Sequence, residues 1–310
     1  MKKTAVVAAL AALVAAPAFA QSSVTLWGRL NTTVESQKLG SQDRKVVVQN
    51  NNSRLGFKGT EDLGGGLKAS FSLEHGLESD TGAASGGTTF WNRASWVQLE
   101  GSFGAVRLGK WFPGSYFATA DYVSMHNHDT GTSEDKLYGT RFTTNNKVSY
   151  FTPTVSGFNA EVGVAAGEGT VPRAWDVAVN YDMGPLHAGF GYEKVGIYKQ
   201  YAFRGLYELG AFTFGGYFQR EEVNGFKSRD VGRLAAMYTL GQSEFHLNVG
   251  GSKAGGNGAF RTGGAKQVTL GYNYNLSKRT KLYGFYTKTD YNGVGQLDFN
   301  SLAAGVRHNF

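Results

Sequence analysis

Residues 267–274 read QVTLGYNY. Val268, Leu270, Tyr272 and Tyr274 fall on one parity; Gln267, Thr269, Gly271 and Asn273 fall on the other. A period of two is the repeat of an extended strand, whose side chains point alternately to opposite faces. One face is apolar and ends in tyrosines, and the other is polar and small. The pattern extends in both directions. Upstream, Val24, Leu26, Leu30 and Val34 alternate with Thr25, Arg29, Asn31, Thr33 and Glu35, and Leu67, Ala69, Phe71 and Leu73 alternate with Lys68, Ser70, Ser72 and Glu74. Phe158–Val164, Trp175–Tyr181, Leu186–Tyr192 and Phe245–Val249 behave alike, and Leu302, Ala304, Val306 and Phe310 close the series.

In a sandwich the apolar faces would meet in a dry core. Here the polar faces carry charges of both signs among many small residues, and the apolar faces end regularly in Tyr, Phe or Trp. A lipid-facing band flanked by aromatic girdles, around a polar lumen, predicts both features. Composition agrees. Of 310 residues, 44 are Gly, 21 Phe and 16 Tyr, only 18% are charged, and Cys is absent. Mean hydropathy is −0.30, too polar for a bundle of apolar helices. The aromatic content excludes disorder, and the missing Cys excludes a disulfide scaffold or a Cys-ligated zinc site.

Residues 1–20, MKKTAVVAALAALVAAPAFA, read as a cleaved signal peptide: Lys2 and Lys3, an apolar run, then Ala18-Phe19-Ala20. Its removal takes the formal charge from +7 to +5 and leaves residues 21–310 as one barrel domain. Seven short turns are expected at 62–66, 101–104, 153–157, 182–185, 209–211, 240–243 and 276–279. Longer polar segments alternate with them at 36–53, 78–90, 112–146, 166–174, 194–199, 221–230, 252–266 and 288–298. Fifteen connections make sixteen strands, in an all-β antiparallel transmembrane barrel with periplasmic turns and outer loops. The longest connection, 112–146, carries Phe112, Tyr116, Phe117, Tyr122, Tyr138 and Phe142 directly after Trp111, too many aromatics for a floppy loop.

Six stretches together resemble the trimeric general diffusion porins of β-proteobacteria. They are SSVTLWGRL (22–30), SRLGFKGTEDLGGGLKASFSLE (53–74), GAVRLGK (104–110), NKVSYFTP (146–153), NLSKRTKLYGFY (275–286) and AAGVRHNF (303–310). The resemblance covers the whole chain after the signal. It implies an outer-membrane homotrimer, a third loop folded into the lumen, and passive diffusion of small hydrophilic solutes and ions. Basic wall residues would face acidic loop residues there. Matched by position, Arg54, Arg93 and Arg141 would be the wall arginines. Lys58, Lys68 and Arg107 share the polar parity, and Asp121, Asp129, Glu134 and Asp135 lie in the loop. The loop departs from the family's glycine-rich tip, reading HNHDTGTSEDKLYG at 126–139. Phe310 would be read by the barrel-assembly machinery, and the outer face would meet lipid and lipopolysaccharide.

The plainer alternatives are surface arginines and a solvated acidic loop. A charge on the lipid face costs about 2–4 kcal/mol at the midplane, so strand charges belong to the lumen by default. His126 and His128 are too few for a zinc shell. No G-x-S-x-G elbow or GK[ST] loop occurs, so neither an enzyme nor a cofactor is expected. A pI of 9.3 without a basic stripe does not make a nucleic-acid binder. A weak anion preference is expected. The alternatives are a channel specific for small organic anions and an adhesin-like barrel. Arg229 is expected in an outer loop, away from the narrow point.

Overall fold

The computed structural model describes residues 23–130, 136–141, 144–255, 263–293 and 296–310. The signal-peptide reading of residues 1–20, and the loop acids Glu134 and Asp135, lie outside the described residues. Among those described, seventeen strand segments form one closed antiparallel sheet. They are β1 (Ser23–Leu39), β2 (Lys45–Asn50), β3 (Ser53–Gly64), β4 (Leu67–Leu77), β5 (Ala94–Gly101), β6 (Gly104–Lys110), β7 (Lys147–Phe151), β8 (Phe158–Ala165) and β9 (Ala174–Met183). The rest are β10 (Leu186–Val195), β11 (Tyr198–Leu209), β12 (Phe212–Val223), β13 (Arg229–Leu240), β14 (Ser243–Ser252), β15 (Ala265–Asn275), β16 (Thr280–Tyr291) and β17 (Phe299–Asn309). Segments β2 and β3 both pair with β1 and make one stave, so the barrel has sixteen strands. Closure leaves no open edge, which a sheet in lipid requires.

The seventeenth segment arises from a bulge. Thr32 pairs with Asn50 and Arg29 with Arg54, so two residues of β1 oppose three, Asn51 to Ser53. Asn52 takes the left-handed conformation, with φ of 62°. An extra residue reverses which parity faces inward. Val46 and Val48 are exposed on the outer face beside Val34. Beyond the bulge, Arg54 and Lys58, of the same even parity, share the inward side with their partners Arg29 and Thr25. Without it, both charges would meet lipid.

The expected faces are present. Val24, Leu26, Leu30, Val34, Leu270 and Tyr272 are exposed, while Arg29, Asn31, Thr33, Glu35, Gln267, Thr269 and Asn273 are buried. On the outer face Phe212, Tyr238, Phe245 and Tyr272 are directly paired across four strands, with ring centroids 4.7, 6.3 and 5.2 Å apart. This row is an aromatic girdle near the short-turn rim. All seven short turns fall where expected. Several outer connections are shorter than expected, most of all three where the strands leave only 40–44, 196–197 and 224–228 between them. Polar residues at strand ends still satisfy the ladder, so polarity alone overestimated these loops. Arg229 begins β13 and is buried, bonded to Glu221 and to the Leu137 carbonyl, contrary to its expected place in a loop.

The seam joins β1 to β17, from Arg29 opposite Asn309 to Leu39 opposite Phe299. Phe310 continues it: its N–H donates to the Gly28 carbonyl at 3.1 Å, and the Gly28 N–H donates back at 3.0 Å. Its ring lies over Gly28, where a Cβ would collide with it.

Candidate functional site

The connection after β6 carries a helical turn, α1 (Gly114–Tyr116), continued by a π turn at Phe117–Asp121. Its aromatics find the packing their number implied. Tyr116, Ala120, Val123, Leu137 and Tyr138 form one buried cluster with Ala202, Leu206, Tyr217 and Val231 of the wall. Those four wall residues belong to the inward parity of their strands.

A buried ion group fastens the start of the segment. Asp176 of β9 accepts from the N–H groups of Gly114 and Ser115 and from Lys147 Nζ at 3.1 Å. Lys147 also lies 3.7 Å from Glu161, which accepts from Trp111 Nε1 at 3.1 Å and Ser149 Oγ at 2.8 Å. The wall leaves room at Gly191, where a Cβ would meet the Ser115 main chain. Farther along, Arg204 Nε donates to the Ala118 carbonyl at 2.9 Å, and the Gly139 N–H donates to Gln219 Oε1 at 2.8 Å.

The middle of the segment rests on three imidazoles. His126 and His128 are buried against His246 of β14, with centroids of His126 4.7 Å from each of the other two. His128 stacks on Tyr283 at 3.5 Å and meets Asn273 Oδ1 at 3.1 Å. Burial holds both loop histidines well below the usual imidazole range, helped by His246 beside His126 and by His126 beside His128. Among the described residues no group of three or more His, Cys, Asp or Glu is arranged to hold a metal.

One arc of the wall is basic, and Asn52 is its hub. The Asn52 carbonyl accepts from Arg29 at 2.9 Å and Arg54 at 3.3 Å; its side-chain oxygen accepts from Arg93 at 2.7 Å. Its amide donates to Asp129 of the segment after β6 at 3.3 Å, and Arg29 reaches the same carboxylate at 3.3 Å. Glu74 lies 2.6 Å from Arg93 and 3.3 Å from Arg54. Arg307, across Asn31 from this group, donates to the Asn127 carbonyl at 3.2 Å. Three of these four guanidinium groups thus pair with the two carboxylates Glu74 and Asp129, and the fourth, Arg307, with a carbonyl.

The structure therefore brings together Arg54, Arg93 and Asp129 of the residues singled out from sequence. Lys58 lies farther down the same stave, its Nζ 5.8 Å from the Trp27 ring. Lys68 stands at the short-turn rim, opposite Glu100 and Asp62. Arg107 is framed by Trp96 at 4.1 Å and Phe151 at 4.5 Å, with Nε on Gln98 at 2.9 Å. Arg141 lies about half-way round the barrel from Arg54, over Tyr198 at 5.0 Å, with its N–H on Glu193. Asp121 accepts from the Tyr116 hydroxyl at 3.4 Å, remote from the arginine group. Sequence reasoning missed Arg29, Asn52 and Arg307. Arg29 and Arg307 were visible as strand charges on the polar parity, but no local pattern marked Asn52 as a left-handed bulge.

The description "Gram-negative porin" matches over residues 5–294. Outer membrane porin protein 32 of Delftia acidovorans is 37% identical, covering 99% of this chain and 95% of that protein. Among solved structures, an anion-selective porin from Comamonas acidovorans superposes with a TM-score of 0.80 at 28% identity, covering 94% of this chain and all of that one. OmpT of Vibrio cholerae, in a trimer form, shares the fold with a TM-score of 0.71 at 19% identity, covering 93% and 99%. A closed sixteen-stranded barrel, apolar outside and polar within, with a family match over nearly its whole length, makes this chain a member of the Gram-negative porins.

Proposed function

We propose that this outer-membrane channel passes small hydrophilic solutes by diffusion and favours anions weakly at one level of its lumen. There the inner segment would narrow the pore opposite Arg29, Arg54, Arg93 and Arg307. The observation that carries the reading is the charge surplus: four guanidinium groups against Glu74 and Asp129. Two uncompensated charges about 7 Å from an ion in water are worth about 1.2 kcal/mol. Screening over about 10 Å at 0.1 M salt halves that to about 0.6 kcal/mol. Anions would be enriched about threefold and cations depleted about threefold, a weak preference that fades as salt rises. The relative from Comamonas, described as anion-selective, is consistent with this sign. Arg141 would add little, being far round the wall.

The girdled outer face would meet lipid and lipopolysaccharide, and three copies would assemble, as in the Vibrio trimer form. Phe310 would serve the barrel-assembly machinery as a recognition element. Short outer connections at 40–44, 196–197 and 224–228 disfavour an adhesin. The test is the reversal potential in a salt gradient. Arg93→Glu removes the surplus and should abolish anion preference. Lys227→Glu, in an exposed outer turn, is the control and should change little. Equal shifts from both variants, or a parent channel that already prefers cations, would overturn the assignment.

A further inference from the structure

Granting a water-filled pore, the space beside the arginine group has a chemistry that simple ion passage does not require. A cavity of about 550 Å³ runs from Glu74 and Arg93 past Arg107 to Asp182, between the wall and the start of the inner segment. Rings line it: Trp96, Trp111, Phe112, Phe117, Tyr122 and Phe151. Unlike the apolar wall residues packed under the segment, these rings leave apolar surface open to the cavity. Phe117 is 44% exposed. Exposed aromatic surface has a standing tendency to be covered by another apolar group.

The charges select which kind. Glu74 is taken by Arg93 and Arg54, Glu161 by Lys147 and Trp111, and Asp182 by the Tyr122 hydroxyl and His187. A visiting cation would find no uncommitted carboxylate. Arg107 is different: among the described residues no carboxylate stands within ion-pair distance of it. The residue is partly buried, with one hydrogen bond to Gln98 and rings around its guanidinium. A guanidinium held by rings is pre-organised to receive a planar carboxylate.

We propose that this chamber is a weak binding site for single-ring aromatic carboxylates in transit, the carboxylate on Arg107 and the ring against Phe112 and Phe117. A ring acid fits the volume easily, and pockets of this size with few convergent polar groups are typical of small ligands. A short aliphatic acid would use Arg107 alone, and a neutral sugar the rings alone.

The experiment records current through the full barrel in a planar bilayer at neutral pH while benzoate, cyclohexanecarboxylate, acetate or benzylammonium is added at equal concentration. Benzoate should reduce the current saturably in the millimolar range, with the others much weaker. Phe117→Leu and Arg107→Gln should each weaken the benzoate effect about tenfold, the loss expected for one stacking or charged contact, and leave the unblocked current within about twofold. Phe117 is an exposed residue of the inner segment, so its variant keeps the test open if Arg107→Gln fails to insert. Equal block by acetate or cyclohexanecarboxylate, stronger block by benzylammonium, or benzoate block unchanged in both variants would overturn the site. An ordinary channel without benzoate block refutes the chamber alone. A chain that inserts and conducts nothing refutes the pore reading itself.

Discussion

Replacing Asp176 by Ala should free the start of the inner segment from the wall without opening the barrel. The carboxylate holds two main-chain N–H groups and Lys147, whose side chain is only 1% exposed. Each buried N–H left without an acceptor costs about 1–3 kcal/mol. Removing one partner of a buried ion pair costs about 3–5 kcal/mol. The losses are not additive, because they belong to one event, lumen water can enter, and Glu161 remains 3.7 Å from Lys147. About 3–5 kcal/mol for the whole change is therefore the working figure. At 1.36 kcal/mol per decade, the detached fraction should rise by roughly two to three and a half orders of magnitude. Asp176→Asn keeps shape and one acceptor and should show about half the effect on the logarithmic scale. Single-channel recording should reveal larger, noisier conductance, and protease should cut within residues 111–146 in detergent. Strand pairing does not depend on this side chain, so heat resistance of the β-type circular dichroism should be kept. Parent-like conductance and protease resistance in Asp176→Ala would refute the idea that this carboxylate fastens the segment.

Deleting Asn52 removes the bulge and should drive Arg54 and Lys58 toward lipid, at about 2–4 kcal/mol per charge; outer-membrane insertion should fail, whereas Asn52→Gly, which keeps the left-handed φ, should insert and lose part of the anion preference. Acidification should loosen the segment through His126 and His128. Their packed values are depressed by burial, while a released imidazole titrates near 6.5, so packing is fully stable above about pH 6.5 and weakens below it by up to about 1.4 kcal/mol per pH unit per group. Current fluctuations should increase between pH 6.5 and 5, and His126→Phe should blunt the change; a flat record in the parent counts against it. Deleting Phe310 removes two seam hydrogen bonds and the ring over Gly28, and should lower outer-membrane insertion while export continues; equal insertion would dismiss its role in assembly.

The barrel was legible because its signal is periodic and repeated: alternation at residues 267–274 or 302–310 needs no knowledge of distant residues. Turns such as Gly184-Pro185 and Gly210-Ala211 marked themselves by residue type. Arg54 was legible in position but not in cause, since its inward direction depends on an extra residue two places earlier. Arg307 joins Arg54 only because the seam brings the last strand against the first. The anchor at Asp176 was invisible for the same reason: nothing local says that a strand aspartate receives the N–H groups of residues 114 and 115. Contacts between the segment and the wall are long-range, and alternation reports only which face a residue occupies.

Because the seam pairs Arg29 with Asn309, the sheet cannot close until nearly the whole chain is present. Until then two strand edges carry unpaired amides, the condition that invites wrong pairing with another chain. The entropy of bringing such distant residues together grows only logarithmically with the length between them. Adding about fifty residues to the outer loops would raise that cost by about 0.15 kcal/mol. Closure therefore restrains the loops very little. Their lengths are free to drift under selection from outside the cell, while the strand lengths and the position of the bulge are not.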